Sequence, residues 1–581
     1  MPKSRNLSVS LLTATLLLGL STASFSAGAD MPPTPKGQVT KAGEPWWKHA
    51  VFYEIYPRSF ADSNGDGIGD INGITSKLDY LHNLGVDAIW ITPCYPSPQV
   101  DFGYDISDYC NIAPEYGTLA DFDRLIAEAK KRNIRIVMDF VLNHTSDEHP
   151  WFQASKSSRN NPKRDWYIWR DGKPDGGPPN NWLSIFGHSA WQLDKTTHQY
   201  YYHFFYPEQP DLNWRNHEVR KAMYNVVRFW LNRGVSGFRL DAVGCLFEDP
   251  NLHDNPVLPG TNGFGDPNME NKFNDQYPEV HEVMQELRLV LDSYPDNPVL
   301  IGETSGSDVP KISLWYGTNL DEIQLPMNFI VAYLNKLSAS QFRKTIGEWD
   351  ANPIHGWPLY FFSNHDQMRH YLRYGDGVHN DAIAKVMAAL LLTVRGTPLL
   401  YYGEELGMEN NDPQRIEDVY DPIGKIGWPK VKGRDGERTP MQWDAGKNAG
   451  FTTGKPWLQP PESFVTHNVS TELKSENSIL RFYQKLIEIR REDPFRNGIY
   501  APINIVDPNV LAYTRTGHGT TGMVILNMSD KEQVFKPLLP GKTFSTDNLK
   551  TLLTSDPTGA HFVGKDGIKL PPFGVVIATV Q

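Results

Sequence analysis

From Trp46 onward, short apolar runs alternate with longer amphipathic stretches. The runs are AVFYEIY (50–56), DAIWITP (87–93), IRIVMDFV (134–141), GFRLDAV (237–243), PVLIGET (298–304), PLYFFSNHD (358–366) and TPLLYYGEE (397–405). Each is nearly unbroken in apolar residues and ends in a polar cluster. That pattern predicts strands buried on both faces, as in a parallel sheet, with their loops gathered at one end. The stretches 74–85 and 119–133 space their apolar residues as a helix does and predict helices between strands. The alternation predicts an α/β fold of βα units.

Two interruptions set the domain organisation. Residues 144–212 are dense in Asn, Pro, Trp, Asp and Gly without helical period, which predicts an irregular subdomain inserted into a βα loop. A second polar, Gly-rich stretch covers roughly 408–450. Past a helix near 478–492, short alternating segments (INIVD, VLAYTRT, TGMVILNM, VVIATV) predict a C-terminal antiparallel β-sandwich domain from 496 to 581. The expected barrel therefore occupies 44–143 and 213–495. Ahead of it, Lys3 and Arg5, the apolar run Leu11–Leu20 and the small residues ending at Ala29 read as a secretory signal over 1–29, followed by a Pro/Gly/Lys linker over 30–43. The expectation is a mature protein exported to the periplasm or the medium. No later segment is long and apolar enough to span a bilayer, and no membrane partner is expected.

Composition narrows the function by exclusion. A net charge of −12 argues against nucleic acid as partner, which needs basic surface to displace counterions. Three cysteines, Cys94, Cys110 and Cys245, are too few for a disulfide framework, although one Cys94–Cys110 bridge stays open. There is no C-x-x-C pair or His cluster for zinc.

The chemistry lies at the ends of the apolar runs: Asp139 to Asn143-His144, Arg239-Leu-Asp241, Gly302-Glu303-Thr304 and Asn364-His365-Asp366. In a (β/α)8 barrel the C-terminal ends of different strands converge on one face, so these groups meet despite their separation in sequence. Convergent Asp, Glu and Asp is what glycoside hydrolysis requires: a nucleophile, a general acid/base, and further charge to offset an oxocarbenium-like transition state. The segment Asp62-Ser-Asn64-Gly-Asp66-Gly-Ile68-Gly-Asp70 alternates oxygen donors with glycines, as calcium loops do, and an Asx-turn loop without metal is the alternative.

With these motifs, from AVFYEIYPRSFADSNGDGIGD to the C-terminal β-domain, the chain resembles the α-amylase superfamily, and more closely its α-glucosidase, oligo-1,6-glucosidase and sucrose-isomerase branch. The resemblance implies Asp241 as nucleophile, Glu303 as acid/base and Asp366 as transition-state stabiliser. Arg239 would fix Asp241, and His144 and His365 would hold sugar hydroxyls. Asp105 of Gly103-Tyr104-Asp105 would meet the non-reducing end of the sugar, paired with Arg438 of Arg434-Asp-Gly-Glu-Arg438-Thr-Pro. Phe186 would lie near the glucose, with His188 where many relatives have Gly. A structural Ca²⁺ would take the side chains of Asp62, Asn64, Asp66 and Asp70 and the carbonyl of Ile68; no organic cofactor is implied. Ala242, where relatives cutting α-1,6 bonds usually carry Val, favours α-1,4 linkages in maltose and short malto-oligosaccharides. The implied activity is an exo-acting retaining α-glucosidase. The alternatives are a transglucosidase or sucrose isomerase using the same intermediate and, more remotely, a non-catalytic transporter-associated barrel.

Overall fold

The computed structural model describes residues 44–304, 306–503, 506–538 and 545–580. The expected signal and linker lie outside the described residues. Eight strands form one parallel sheet: β1 (Phe52–Ile55), β2 (Ala88–Ile91), β3 (Arg135–Val141), β4 (Gly237–Asp241), β5 (Val299–Gly302), β6 (Leu325–Pro326), β7 (Leu359–Tyr360) and β8 (Thr397–Tyr401). They pair in the order β6-β5-β4-β3-β2-β1-β8-β7. A parallel bridge between Met327 and Leu359 then joins the two ends and closes the barrel. Phe52, Trp90, Val137, Ile301, Leu325, Leu359 and Leu399 fill its interior, none measurably exposed. Burying each such side chain contributes about 1.5–3 kcal/mol before the entropy of ordering is subtracted.

The register positions the chemistry. Asp139 on β3 lies opposite Arg239 on β4, and Val141 lies opposite Asp241. Arg239 and Asp241 are two apart on a strand and so share a face. The helix Leu119–Lys131 shows how the outer layer is held: Thr118 and Asp121 form a reciprocal capping box, Phe122, Leu125 and Ala129 face inward, and Lys130 and Lys131 sit in the last turn. Replacing the Thr118 cap by Ala would cost about 1 kcal/mol.

The insertion 144–212 is more ordered than its composition suggests. It holds the helix Pro150–Ser157 and an antiparallel sheet of Trp169–Arg170, Gln199–Tyr202 and Trp191–Asp194 around its own core of Trp182, Trp191, Tyr202 and Phe204. Strands of two to four residues are too short to reveal a period. A hairpin, Val257–Thr261 with Pro267–Met269, is a second element that the composition hid.

The C-terminal strands form a sandwich. A five-stranded sheet (Ile499–Ile503, Val510–Gly517, Thr520–Asn527, Val575–Val580, Leu549–Thr554) faces a three-stranded one (Gln533–Phe535, Gly567–Leu570, His561–Val563). Met523, Ile525, Phe535, Ile568 and Leu570 pack between them. The other face of the larger sheet meets the barrel through Tyr513, whose hydroxyl lies 2.5 Å from that of Thr393, and through Arg515, which donates to the Thr393 carbonyl at 2.7 Å. Cys94, Cys110 and Cys245 are all free thiols, so the open Cys94–Cys110 bridge is not formed. Burial pushes the Cys94 thiol up to about 12. Among the described residues no helix is long and apolar enough to cross a membrane.

Candidate active site

At the C-terminal mouth of the barrel, Asp101, Tyr104, His144, Phe186, Asp241 and Glu303 line a cavity of about 220 Å³, together with Asp366, Arg434, Ala242, Ile185, Phe205 and Ile423. Three carboxylates share one cation there. Arg239, wholly buried, donates from one terminal nitrogen to both oxygens of Asp139 at 3.1 Å and to Asp241 at 2.7 Å, and from the other to Glu303 at 2.6 Å. Its guanidinium also lies 4.9 Å from the centre of the Trp90 ring. Ala242, the residue after Asp241, turns the chain in the left-handed region at φ 44°, and its N–H donates to Glu303 at 3.1 Å.

Burial dominates the titration of this cluster. It pushes Asp139 up to about 6 against the pull of Arg239, and it pushes Asp241 well above the usual carboxylate range, with Glu303 and Asp139 adding to the effect. Asp139, Asp241 and Glu303 thus converge on a single guanidinium.

Asp366 sits in the opposite field. Burial works against its ionisation, but His365 and the guanidiniums of Arg434 and Arg438 outweigh burial and hold it well below the carboxylate range. Arg438 reaches Asp366 at 2.7 Å and Arg434 reaches it at 3.1 Å. His365 lies flat against Tyr104, with ring centres 5.5 Å apart, and contacts Glu54 through Nδ1 at 2.7 Å. Burial drives Glu54 well up and His365 well down. His365 Nε2 lies 2.6 Å from the Tyr104 hydroxyl and 3.2 Å from Asp366. Burial likewise brings His144 down to about 3, so it is a neutral hydrogen-bonding group.

The pairing expected at the closed end of the pocket is corrected. Asp105 does not meet Arg438. It is fully buried and accepts from Ser97, Val100 N–H and Asp101 N–H at 2.8–3.0 Å, bracing its own loop. Burial pushes it up to about 6. Arg438 is also fully buried and donates to the His365 carbonyl at 2.8 Å as well as to Asp366, so it holds the carboxylate in place from behind. The pair that lines the cavity is Asp101 with Arg434, at 2.8 Å. Asp421 grips Arg434 from the far side at 2.8 Å and is itself held at about 2, Arg434 outweighing burial. Both pocket residues precede the expected ones by four positions. The signal was present in Gln-Val-Asp101 and in the first arginine of Arg434-Asp-Gly-Glu-Arg438, but sequence does not say which of two like charges a loop turns inward. Phe205 and Ile423 join Phe186 in the rim without a sequence signal. His188 is two-thirds exposed and donates its N–H to Asp266 at 2.8 Å, tying the Phe186 loop to the hairpin.

The loop 62–70 closes on itself. Asp62 accepts from the N–H groups of Asn64, Gly65 and Gly67 and from Thr452, while Asp70 accepts from Ser63 and caps the helix Ile71–Ser76 through Gly73 N–H. Gly67 is obligatory: its φ is 94° and a Cβ would stand 1.9 Å from the Lys455 carbonyl oxygen. Among the described residues no three His, Cys, Asp or Glu side chains are grouped so as to hold a metal. The donors are nevertheless all oxygens, chemistry that fits a hard cation.

The family described as alpha amylase, catalytic domain, matches residues 54–498. The chain is 41% identical over 538 residues to a probable alpha-glucosidase of Rhizobium meliloti, a match covering 89% of this chain and 96% of that one. It is 43% identical to the oligo-1,6-glucosidase of Parageobacillus thermoglucosidasius, covering 84% and 92%. Among solved structures, an alpha-glucosyl transfer enzyme superposes with a TM-score of 0.85 at 41% identity, over 93% of this chain and 100% of that one.

Proposed function

Since the chain belongs to the α-amylase family and is a glycoside hydrolase of α-glucosidase type, we propose that it removes single α-1,4-linked glucose units from the non-reducing end of maltose and short malto-oligosaccharides, with retention. The carrying observation is that one buried guanidinium touches both Asp241 and Glu303. That arrangement supports a carboxylate separation near the ~5–5.5 Å of retaining sites, with no room for a water between Asp241 and the sugar.

Asp241 attacks the anomeric carbon while Glu303 gives its proton to the departing glycosidic oxygen. Water then attacks the same carbon, Glu303 takes the water proton, and the bond to Asp241 breaks to release α-glucose. Asp366 remains ionised and offsets positive charge on the ring. Asp101 and Arg434 shut the far end of the cavity against the last sugar. A volume of about 220 Å³ lies below the roughly 300–1,000 Å³ of drug-sized ligand pockets, which suits one ring and supports exo action. Ala242 beside the nucleophile carries the α-1,4 reading, because a β-branched residue at φ 44° is both strained and bulkier on the leaving-group side. We further propose that Asp62, Asn64, Asp66, Ile68 and Asp70 hold a structural Ca²⁺, and that residues 1–29 direct export.

The likeness to an α-glucosyl transfer enzyme favours a second reading, in which a sugar hydroxyl resolves the intermediate in place of water. Proton NMR of the protein with maltose, isomaltose and sucrose separates the two. The proposal expects early α-glucose from maltose in excess of isomaltose, none from Asp241→Asn, and a loss of about 10²–10⁴-fold for Glu303→Gln. Early β-glucose would overturn retention, a preference for isomaltose would overturn the linkage, and new glucosides in place of free glucose would move the assignment to transfer.

A further inference from the structure

A second polar cavity, of about 320 Å³, opens at the opposite end of the barrel. Ala50, Asp87 and Arg135, which line it, stand at the N-terminal ends of β1, β2 and β3, whereas Asp241 ends β4 and the other two catalytic carboxylates follow the C-terminal ends of β5 and β7. Its remaining charged lining is Arg490, Arg491 and Arg496, with His49. Four guanidiniums thus face one carboxylate in a chain whose net charge is −12.

Ordinary structural roles account for only two of the four. Arg490 and Arg491 lie in the last turn of the helix Ile479–Arg491, where cations are favoured. Arg490 donates to the Leu392 and Gly396 carbonyls, and Arg491 donates to the Gly85 carbonyl and to Asp87 at 3.1 Å. Arg135 and Arg496 make no ion pair within 4.0 Å and no side-chain hydrogen bond among the described residues; Arg135 lies over Trp46, 4.7 Å from its ring centre, in the field of Asp296, and Arg496 lies in the field of Glu44. One buried donor at this cavity also lacks a partner: Nε of Arg490, a residue 4% exposed. An unpaired buried donor is costly unless an acceptor joins it. Burial already brings Arg490 down to about 9, a cost that a bound anion would offset.

We propose that this cavity is a binding site for a phosphate-type oxyanion, held by Arg135, Arg490 and Arg496. Planar guanidiniums converging on one space suit a tetrahedral anion with several acceptor oxygens. The cavity shares Asn133 and Arg135 with an adjoining groove of about 800 Å³, lined also by Lys130, Tyr294, Asp296 and the Arg233–Asp123 pair, which gives room for an organic group carried on the phosphate.

Calorimetric titration and thermal melts of the whole protein with inorganic phosphate, at ionic strength matched with chloride, test the site. The expected result is one phosphate bound per chain and a Tm raised by about 2–5 °C. Arg496→Ala and Arg135→Met should weaken binding at least about fivefold and leave maltose hydrolysis unchanged, Arg496 being exposed and outside the catalytic machinery. Phenyl phosphate binding more tightly than phosphate would assign a carried phosphate, and equal binding a free one. A Tm shift reproduced by chloride, or persisting in both variants, would be a general salt effect and would overturn the proposal. So would binding of citrate without binding of phosphate.

Discussion

Arg239 gives its two terminal nitrogens to Asp139, Asp241 and Glu303, so one side chain fixes the positions of all three acids. Asp101 and Arg434 work differently, as a buried pair that offers the sugar fixed charges of both signs. Truncating one partner of such a pair costs about 2–5 kcal/mol. Asp101→Asn should therefore lower kcat/KM on maltose about 10²-fold, a loss larger than its effect on Tm accounts for. Asp105→Asn should do the reverse, lowering Tm through its three loop donors while costing less than about 10-fold in kcat/KM, as steady-state kinetics and melts of both variants would show. The three carboxylates placed at the pocket, and Arg239, His144, His365, Tyr104 and Phe186 around them, were legible because each ends an apolar run or sits in a distinctive motif. Asp101 and Arg434 were not, since a loop of mixed polar residues carries no period from which to read side-chain direction.

Elements were legible in proportion to their length. The five-residue and seven-residue strands β4 and β3 lie inside the expected runs, and Val575–Val580 matches its run to the residue. β6 and β7 have two residues each; the run 358–366 leaves the sheet early, where Asn364 bridges Gln367 and accepts from the Asp366 N–H. The loop 62–70 raises an element-scale question of its own, because its hydrogen-bonded turns hold it together while its oxygen donors suit calcium. If Ca²⁺ binds there, chelation with EDTA should lower Tm by several degrees and Ca²⁺, not Mg²⁺, should restore it, with Asp62→Ala insensitive to both. An unchanged Tm would leave the Asx-turn loop as the whole account.

For the whole molecule, the sheet that supports the site is unevenly closed. β3 and β4 are joined through four paired residues, whereas the ring is completed between β6 and β7 by the single Met327–Leu359 bridge. Local opening is least costly where the fewest hydrogen bonds must break. Mass spectrometry after brief exposure to deuterated water should accordingly find label entering 325–329 and 359–362 before 135–141 and 237–241. Glu303 follows β5, which pairs with β6, and Asp366 follows β7, so the two carboxylates stand on opposite lips of that seam. Breathing of the barrel wall would then widen and narrow the gap between Glu303 and Asp366, so the width of the cavity mouth depends on the weakest join in the sheet.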